Sequence, residues 1–171
     1  ILVQSDMDVD TDGSDGDRLA RTDGVSSTFQ PFTSYRWPKK TRLPNPFLSA
    51  WEKKLKDSEK ESSAPKLTPA RLKELKDQQT ELKAEINDLK KSSFLIGSMD
   101  PFVVLPLPMV SRKDGPSAAK IGDYCVVIHE KRIFPAVVGD AGPSYKSGEA
   151  SLRICREINS KAGSGNRPES D

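Results

Sequence analysis

Polar and apolar positions alternate from the start of the chain. Asp6-Met7-Asp8-Val9-Asp10-Thr11-Asp12 sends Asp6, Asp8, Asp10 and Asp12 to one side of an extended backbone. That pattern predicts a strand ending at Gly13. From 14 to 46, Ser, Thr, Pro and aromatic residues follow without a period, which predicts a long ordered loop. Periodicity returns at Asn45-Pro46, a cap and a first-turn proline, followed by Phe47, Trp51 and Leu55 spaced four apart. A helix from Pro46 to Lys60 is expected. Ser62-Ser63-Ala64-Pro65 breaks it, and Thr68-Pro69 opens a second helix in which Leu72, Leu75, Gln79, Leu82, Ile86 and Leu89 keep a three-four spacing. With fewer than three full heptads and a Gln in the seam, the pair reads as a helical hairpin over 45–91, not a long coiled coil.

Beyond Ser92-Ser93 the period becomes that of strands. Phe102-Val103-Val104-Leu105 is a short buried-type run, and Pro106 and Pro108 confine the next residues to an edge or a loop. Tyr124 to His129 and Ile133 to Val138, joined by Glu130-Lys131-Arg132, predict a β-hairpin. Gly139 to Pro143 ends the second strand and a loop crosses to Gly148-Glu149-Ala150-Ser151. Leu152, Cys155 and Ile158 then predict a short closing helix. The Gly, Ser and charged residues of 162–171 predict a disordered tail.

At 171 residues, with 35% hydrophobic and 30% charged positions and 13 prolines, the chain can build one ordinary domain with a polar excursion. The formal net charge of +2 hides an uneven distribution: seven Asp stand between Ile1 and Gly24 against only Arg18 and Arg21. Arg36, Lys39, Lys40 and Arg42 then reverse the sign. No segment is basic enough to argue for nucleic acid, and no stretch is apolar enough to argue for a membrane span or leader in this sequence. Cys125 and Cys155 have no metal-ligand spacing and are too few for a disulfide framework, so they either pair or remain buried thiols.

The segment from Val137 to Ser151 holds the candidate chemistry. It sets Asp140 just past a buried strand and Glu149 at the start of a helix, both flanked by glycines that admit a close approach. Glycosidic cleavage needs two carboxyl groups across the bond, one protonated and one ionised. On spacing alone, a turn Asp and a helix-starting Glu favoured by the dipole are the better explanation of both residues. Asp8, Asp10, Asp12 and Gly13 match part of a calcium-binding EF-hand loop, but the position that needs Glu is Leu19 and no helix precedes it. The acidic run reads instead as a carboxylate row for a cationic ligand or as a solvated strand edge. No metal or cofactor is expected. His129, the single histidine, sits at a strand end beside a charged turn and supports no catalytic triad. Phe47 and Trp51 read as helix-packing residues, while Tyr35, Trp37 and Tyr145 lie in loops where an aromatic ring can stack on a sugar or anchor the fold.

Four blocks, Asp6 to Ser14, Pro101 to Pro106, Gly122 to Asp140, and Gly148-Glu149-Ala150-Ser151, resemble in content and order those of family 75 glycoside hydrolases, the chitosanases. The resemblance covers 1–24 and 93–160. It implies an inverting, endo-acting, usually secreted enzyme that cleaves β-1,4-glucosaminyl linkages in chitosan, with Asp140 and Glu149 catalytic. Chitosan or glucosamine oligosaccharides are the implied partners and a monomer is expected; Asp6, Asp8, Asp10 and Asp12, from their one-sided alternation, and Tyr145, from its place in a loop, are the expected substrate contacts. Its longer reach makes Glu149 the expected acid and Asp140 the base. The expected fold is mostly β (α+β): a small double-psi-like β-barrel from 1–44 and 92–161, with 45–91 inserted as the helical hairpin. The family's final apolar strand is not found after Asp171, so a fragment is expected. The competing reading is a non-catalytic carbohydrate-binding or scaffold module that grips a protein partner with the hairpin.

Overall fold

The computed structural model describes residues 2–10, 31–111 and 118–163. Its elements run β1 (Asp8–Asp10), β2 (Arg36–Pro38), α1 (Leu48–Ser62), α2 (Pro69–Lys91), β3 (Ser92–Phe94), β4 (Phe102–Pro106), α3 (Leu107–Val110), β5 (Tyr124–His129), β6 (Arg132–Gly142), β7 (Glu149–Ser151) and α4 (Leu152–Ile158). The fold is α+β, as expected. The barrel is not: among the described residues the main sheet is open, in the order β1-β7-β4-β6-β5, and β2 pairs with β3 in a separate two-stranded ladder. Strands of three residues at β1 and β7 offer too short a ladder to carry a sheet round on itself.

The helical hairpin forms nearly where the periodicity placed it. Asn45 Oδ1 accepts from the Phe47 N–H at 2.9 Å, so Asn45 to Phe47 form a turn and α1 starts two residues later than expected. Thr68 caps α2 as expected, accepting from the Arg71 N–H at 3.2 Å, with Pro69 in the first turn. Phe47, Trp51, Leu82, Ile86 and Leu89 are buried together with Phe94 of β3. Trp51 donates its indole N–H to Glu85 at 2.7 Å, and the seam Gln79 donates to Ser58 and Ser62 at 3.4 and 3.2 Å. These bonds satisfy polar groups that the helices enclose. The apolar stripe of the hairpin is therefore used in its own packing and against Phe94.

Where the hairpin joins the rest follows from the β2–β3 register, in which Pro38 and Ser92 are direct partners. The excursion leaves and returns at neighbouring points of one ladder. A second hydrophobic cluster lies on one face of the main sheet, where Phe134, Ala136 and Ala150, with Val9, Val103, Cys125 and Val127, pack against Leu152, Ile154 and Cys155 of α4. The sequence did not signal β2, β3 or the single turn α3. Pro108 stands in the first turn of that helix, where its missing N–H costs nothing.

Candidate active site

Four residues stand in one row across the main sheet. Asp8 pairs with Glu149, Glu149 with Val104, and Val104 with Asp140. Residues in register on adjacent strands point to the same face. The row beside it, Val9-Ala150-Val103-Val138, points the other way, where Val9, Ala150 and Val103 join the cluster under α4 and Val138 is buried. One face of this short sheet thus packs under α4, and the other carries the carboxyl groups on either side of the buried Val104.

Asp140 reaches that face by an irregularity. Phe134, Ala136 and Val138 alternate toward the core, and Asp140 would follow them if the strand ran on evenly. Between Val103 and Val104 the β4–β6 register slips by one, so one step on β4 matches two on β6, with Gly139 as the extra residue. The bulge turns Asp140 to the opposite face. Only glycine fits there, because a Cβ on Gly139 would stand 2.6–2.7 Å from the Cβ, Cγ and Cδ2 of Phe102. The Gly139 carbonyl accepts from the Tyr35 N–H at 2.7 Å, which ties the aromatic pair Tyr35 and Trp37, ring centroids 5.8 Å apart, to the backbone next to Asp140.

Asp140 therefore lies within β6 and not in a loop past the strand. Glu149 likewise stands on β7 and not at a helix start. The cap of α4 is Ser151, whose hydroxyl accepts from the Ile154 N–H at 3.4 Å and from the Phe102 N–H at 3.2 Å. Glu149 stands two residues before that cap, outside the first turn of α4, and its backbone pairs with strands on both sides.

With Val104 between them, Asp140 and Glu149 are two strands apart, about 10 Å from Cα to Cα. Both are enclosed: Asp140 is 8% exposed and the Glu149 side chain 16%. Glu149 Oε2 lies over Gly142 of β6, 3.1 Å from where a Cβ would be. Its carboxyl group thus leans across Val104 toward the strand of Asp140. Glu149 Oε1 accepts from Lys146 Nζ at 2.6 Å, and the same ammonium lies 3.4 Å from Asp8 Oδ2. These bonds hold the lysine above its ordinary value, the hydrogen bond to Glu149 contributing most.

The other anticipated substrate contacts are dispersed. Asp10 is nearly enclosed, at 8% exposure, while Asp6 is exposed and Tyr145 is 88% exposed on the loop before Glu149. Asp12 lies outside the described residues, as do Gly13 and Leu19 of the calcium-loop comparison. Both cysteines are free thiols, and burial, with Asp10 and Asp8 adding to it, pushes Cys155 up to about 12. Phe47 and Trp51 are packing residues, as their helical spacing suggests. Sequence reasoning passed over Lys146, which donates to Glu149.

The family model described as the fungal chitosanase of glycosyl hydrolase group 75 matches residues 7–170. The chain belongs to this family. It is a chitosanase-type glycoside hydrolase, and the family's substrate is chitosan. The match runs through the helical hairpin as well as through the sheet. No curated protein matches the chain. No helix among the described residues is long and apolar enough to cross a membrane.

Proposed function

We propose that this group 75 chain is an endo-acting chitosanase that hydrolyses β-1,4-glucosaminyl linkages with inversion, using Asp140 and Glu149 as its two catalytic carboxyl groups. One observation carries the reading: Asp140 and Glu149 flank Val104 on the same face of the sheet. Cα atoms about 10 Å apart leave room for the carboxyl separation of about 6.5–9.5 Å that admits a water molecule. A retaining enzyme needs the two groups only about 5–5.5 Å apart. In the inverting reaction one carboxyl group passes its proton to the departing O4 as the C1–O4 bond breaks. The other removes a proton from the water whose oxygen bonds to C1. Each group ends in the other's starting state, and exchange with solvent resets both.

Chitosan is cationic when its amines are protonated, so an acidic row suits it electrostatically. Asp8 extends that row by one strand, next to Glu149. We read Asp6, Asp10, Asp12 and Tyr145 as outer contributors to substrate electrostatics and contact, the enzyme as a secreted monomer without a cofactor, and 45–91 as an insert in a β domain made from 1–44 and 92–161. The scaffold-module alternative called for an exposed apolar stripe on the hairpin. That stripe is buried in the hairpin's own core, which favours the enzyme.

Asp140→Asn and Glu149→Gln keep shape while removing the ionisable group. Each is expected to cut release of reducing ends from chitosan on the order of 10²–10⁴-fold while leaving the melting temperature and oligosaccharide binding near those of the parent. NMR of the first product should show the α-anomer. Near-normal turnover by either variant, or a β-anomeric first product, would overturn the reading.

A further inference from the structure

We propose that Lys146 is a positioning residue that holds the Glu149 carboxylate by one oxygen and leaves the other to act, making Glu149 the general base and Asp140 the general acid. The proposal rests on the two-carboxylate reading above, and it reverses the roles suggested by side-chain length alone.

Asp8 and Glu149 are direct partners on β1 and β7, so their carboxyl groups emerge side by side on one face. Two like charges at that spacing repel unless a cation stands between them. Lys146 Nζ does so, 2.6 Å from Glu149 Oε1 and 3.4 Å from Asp8 Oδ2. An ammonium has only protons to offer, so the oxygen it meets at 2.6 Å is held as an acceptor. A cation so placed stabilises a charged carboxylate over a neutral acid, and the charged form is the one a base needs at the start of the reaction.

The loop is built to hold the lysine in place. The Lys146 N–H donates to the Pro143 carbonyl at 3.2 Å, closing a turn just after β6. Gly148 comes two residues later with φ +86°, a conformation that strains other residues, and the Asp6 carbonyl and Ser5 hydroxyl crowd the place a Cβ would take. The Gly148 carbonyl accepts from the Asp8 N–H at 2.6 Å, fixing the loop's end to β1. With Oε1 engaged, Oε2 is the oxygen directed over Gly142, toward the strand of Asp140. There it can take the proton of a water lying between the two carboxyl groups. Asp140 is left to give its proton to the departing oxygen, and its Oδ1 already accepts from the Ala141 N–H at 2.7 Å.

Three measurements on the intact chain test this. Lys146→Met is expected to lower kcat roughly 10²-fold, the cost of about 1 Å of misplacement at a reacting group, with KM changed less than about threefold. Lys146→Arg should recover part of the loss, since it restores the cation. Added azide should restore turnover of Glu149→Ala with an α-glycosyl azide as product, because azide needs no base. Asp140→Ala should gain nothing from azide but should cleave a dinitrophenyl glycoside of a glucosamine oligomer at close to the parent rate, because that leaving group needs no acid. A Lys146→Met enzyme with the parent kcat, or one altered only in KM, would overturn the positioning role. Azide rescue of Asp140→Ala in place of Glu149→Ala would overturn the assignment. If Glu149→Gln itself kept normal turnover, the two-carboxylate reading would fall, and this proposal with it. An inactive Glu149→Gln beside a fully active Lys146→Met would sink this proposal alone.

Discussion

Substituting Gly139 by alanine tests the bulge that brings Asp140 to the acidic face. The added methyl would meet three atoms of Phe102 at 2.6–2.7 Å, about 1 Å inside ordinary carbon contact. Phe102 is 1% exposed, so its ring has no open space to retreat into, and the strain falls on the β4–β6 ladder. Overpacking of this kind costs about 1–3 kcal/mol. For a chain of this size each kcal/mol lowers the melting temperature by about 2–4 °C, which gives a fall of roughly 2–12 °C. Activity should fall further than stability predicts, because a shift of about 1 Å at Asp140 costs on the order of 10²-fold in rate.

Calorimetry and reducing-end release from chitosan read the two effects separately. Phe102→Ala supplies the partner for a double-mutant cycle: alone it should cost about 3–5 kcal/mol as a cavity. Together with Gly139→Ala it should cost less than the sum by about 0.5 kcal/mol or more, since the methyl then has room beyond the Phe102 Cβ. Gly139→Ala melting within a degree of the parent and cleaving at the parent rate would refute the argument. The bulge would then not depend on the missing side chain.

Packing sets two further outcomes. Replacing residues 45–91 by a short Gly/Ser link should preserve a cooperative thermal transition, because Pro38 and Ser92 are neighbours in one ladder and the hairpin core is separate from the cluster under α4. Phe94 would lose its cover, at a cost of about 1.5–3 kcal/mol, and a non-cooperative melt would show that the hairpin core is part of the main one. Cys155, with its thiol raised from 9.0 to about 12, should stay unreactive to a thiol reagent at pH 8 until the protein is denatured. Above pH 9 the unfolded chain releases this proton before the folded one does, so stability should fall by up to about 1.4 kcal/mol per pH unit toward pH 12. Calorimetry should show that slope flattened in Cys155→Ala, and an unchanged slope would rule out the thiol as its source.

Local chemistry made much of this fold legible. The helical hairpin was readable because its turn residues, the Thr68 cap and the three-four spacing of Leu75, Leu82, Ile86 and Leu89 act within the segment itself. The β5–β6 hairpin was readable for the same reason, from two alternating runs and a short turn. Features set by distant parts of the chain were not. Strands β2 and β3 are three residues each, and they are strands because they pair with each other, although residues 39–91 separate Pro38 from its partner Ser92. Nothing within either short segment announces that pairing.

The candidate site divides along the same line. Asp140 and Glu149 were visible as residues, because two carboxyl groups beside glycines suit glycosidic cleavage. Their settings were not, since Glu149 was expected at a helix start and stands on a strand paired on both sides. Lys146 stands three residues before Glu149, but in a loop that spacing alone sets no distance. Its place depends on Gly148 and β1, which the local sequence does not reveal.

One signal of the bulge was nevertheless present in the sequence. Phe134, Ala136 and Val138 share a parity that continues to position 140, where an aspartate would enter an apolar cluster. A buried carboxyl group without partners is costly, so either the strand must end before 140 or an extra residue must turn the side chain over. Gly139, directly before the offending position, is the residue type that marks a bulge within a strand. The structure takes the second course, and the strand runs on to Gly142. The consequence is mechanical: β6 serves the hydrophobic cluster before the bulge and the acidic row after it, so the position of Asp140 is braced by the same core that stabilises the fold. A carboxyl group on a free loop would have no such support, and a reaction that depends on the distance between two carboxyl groups needs it.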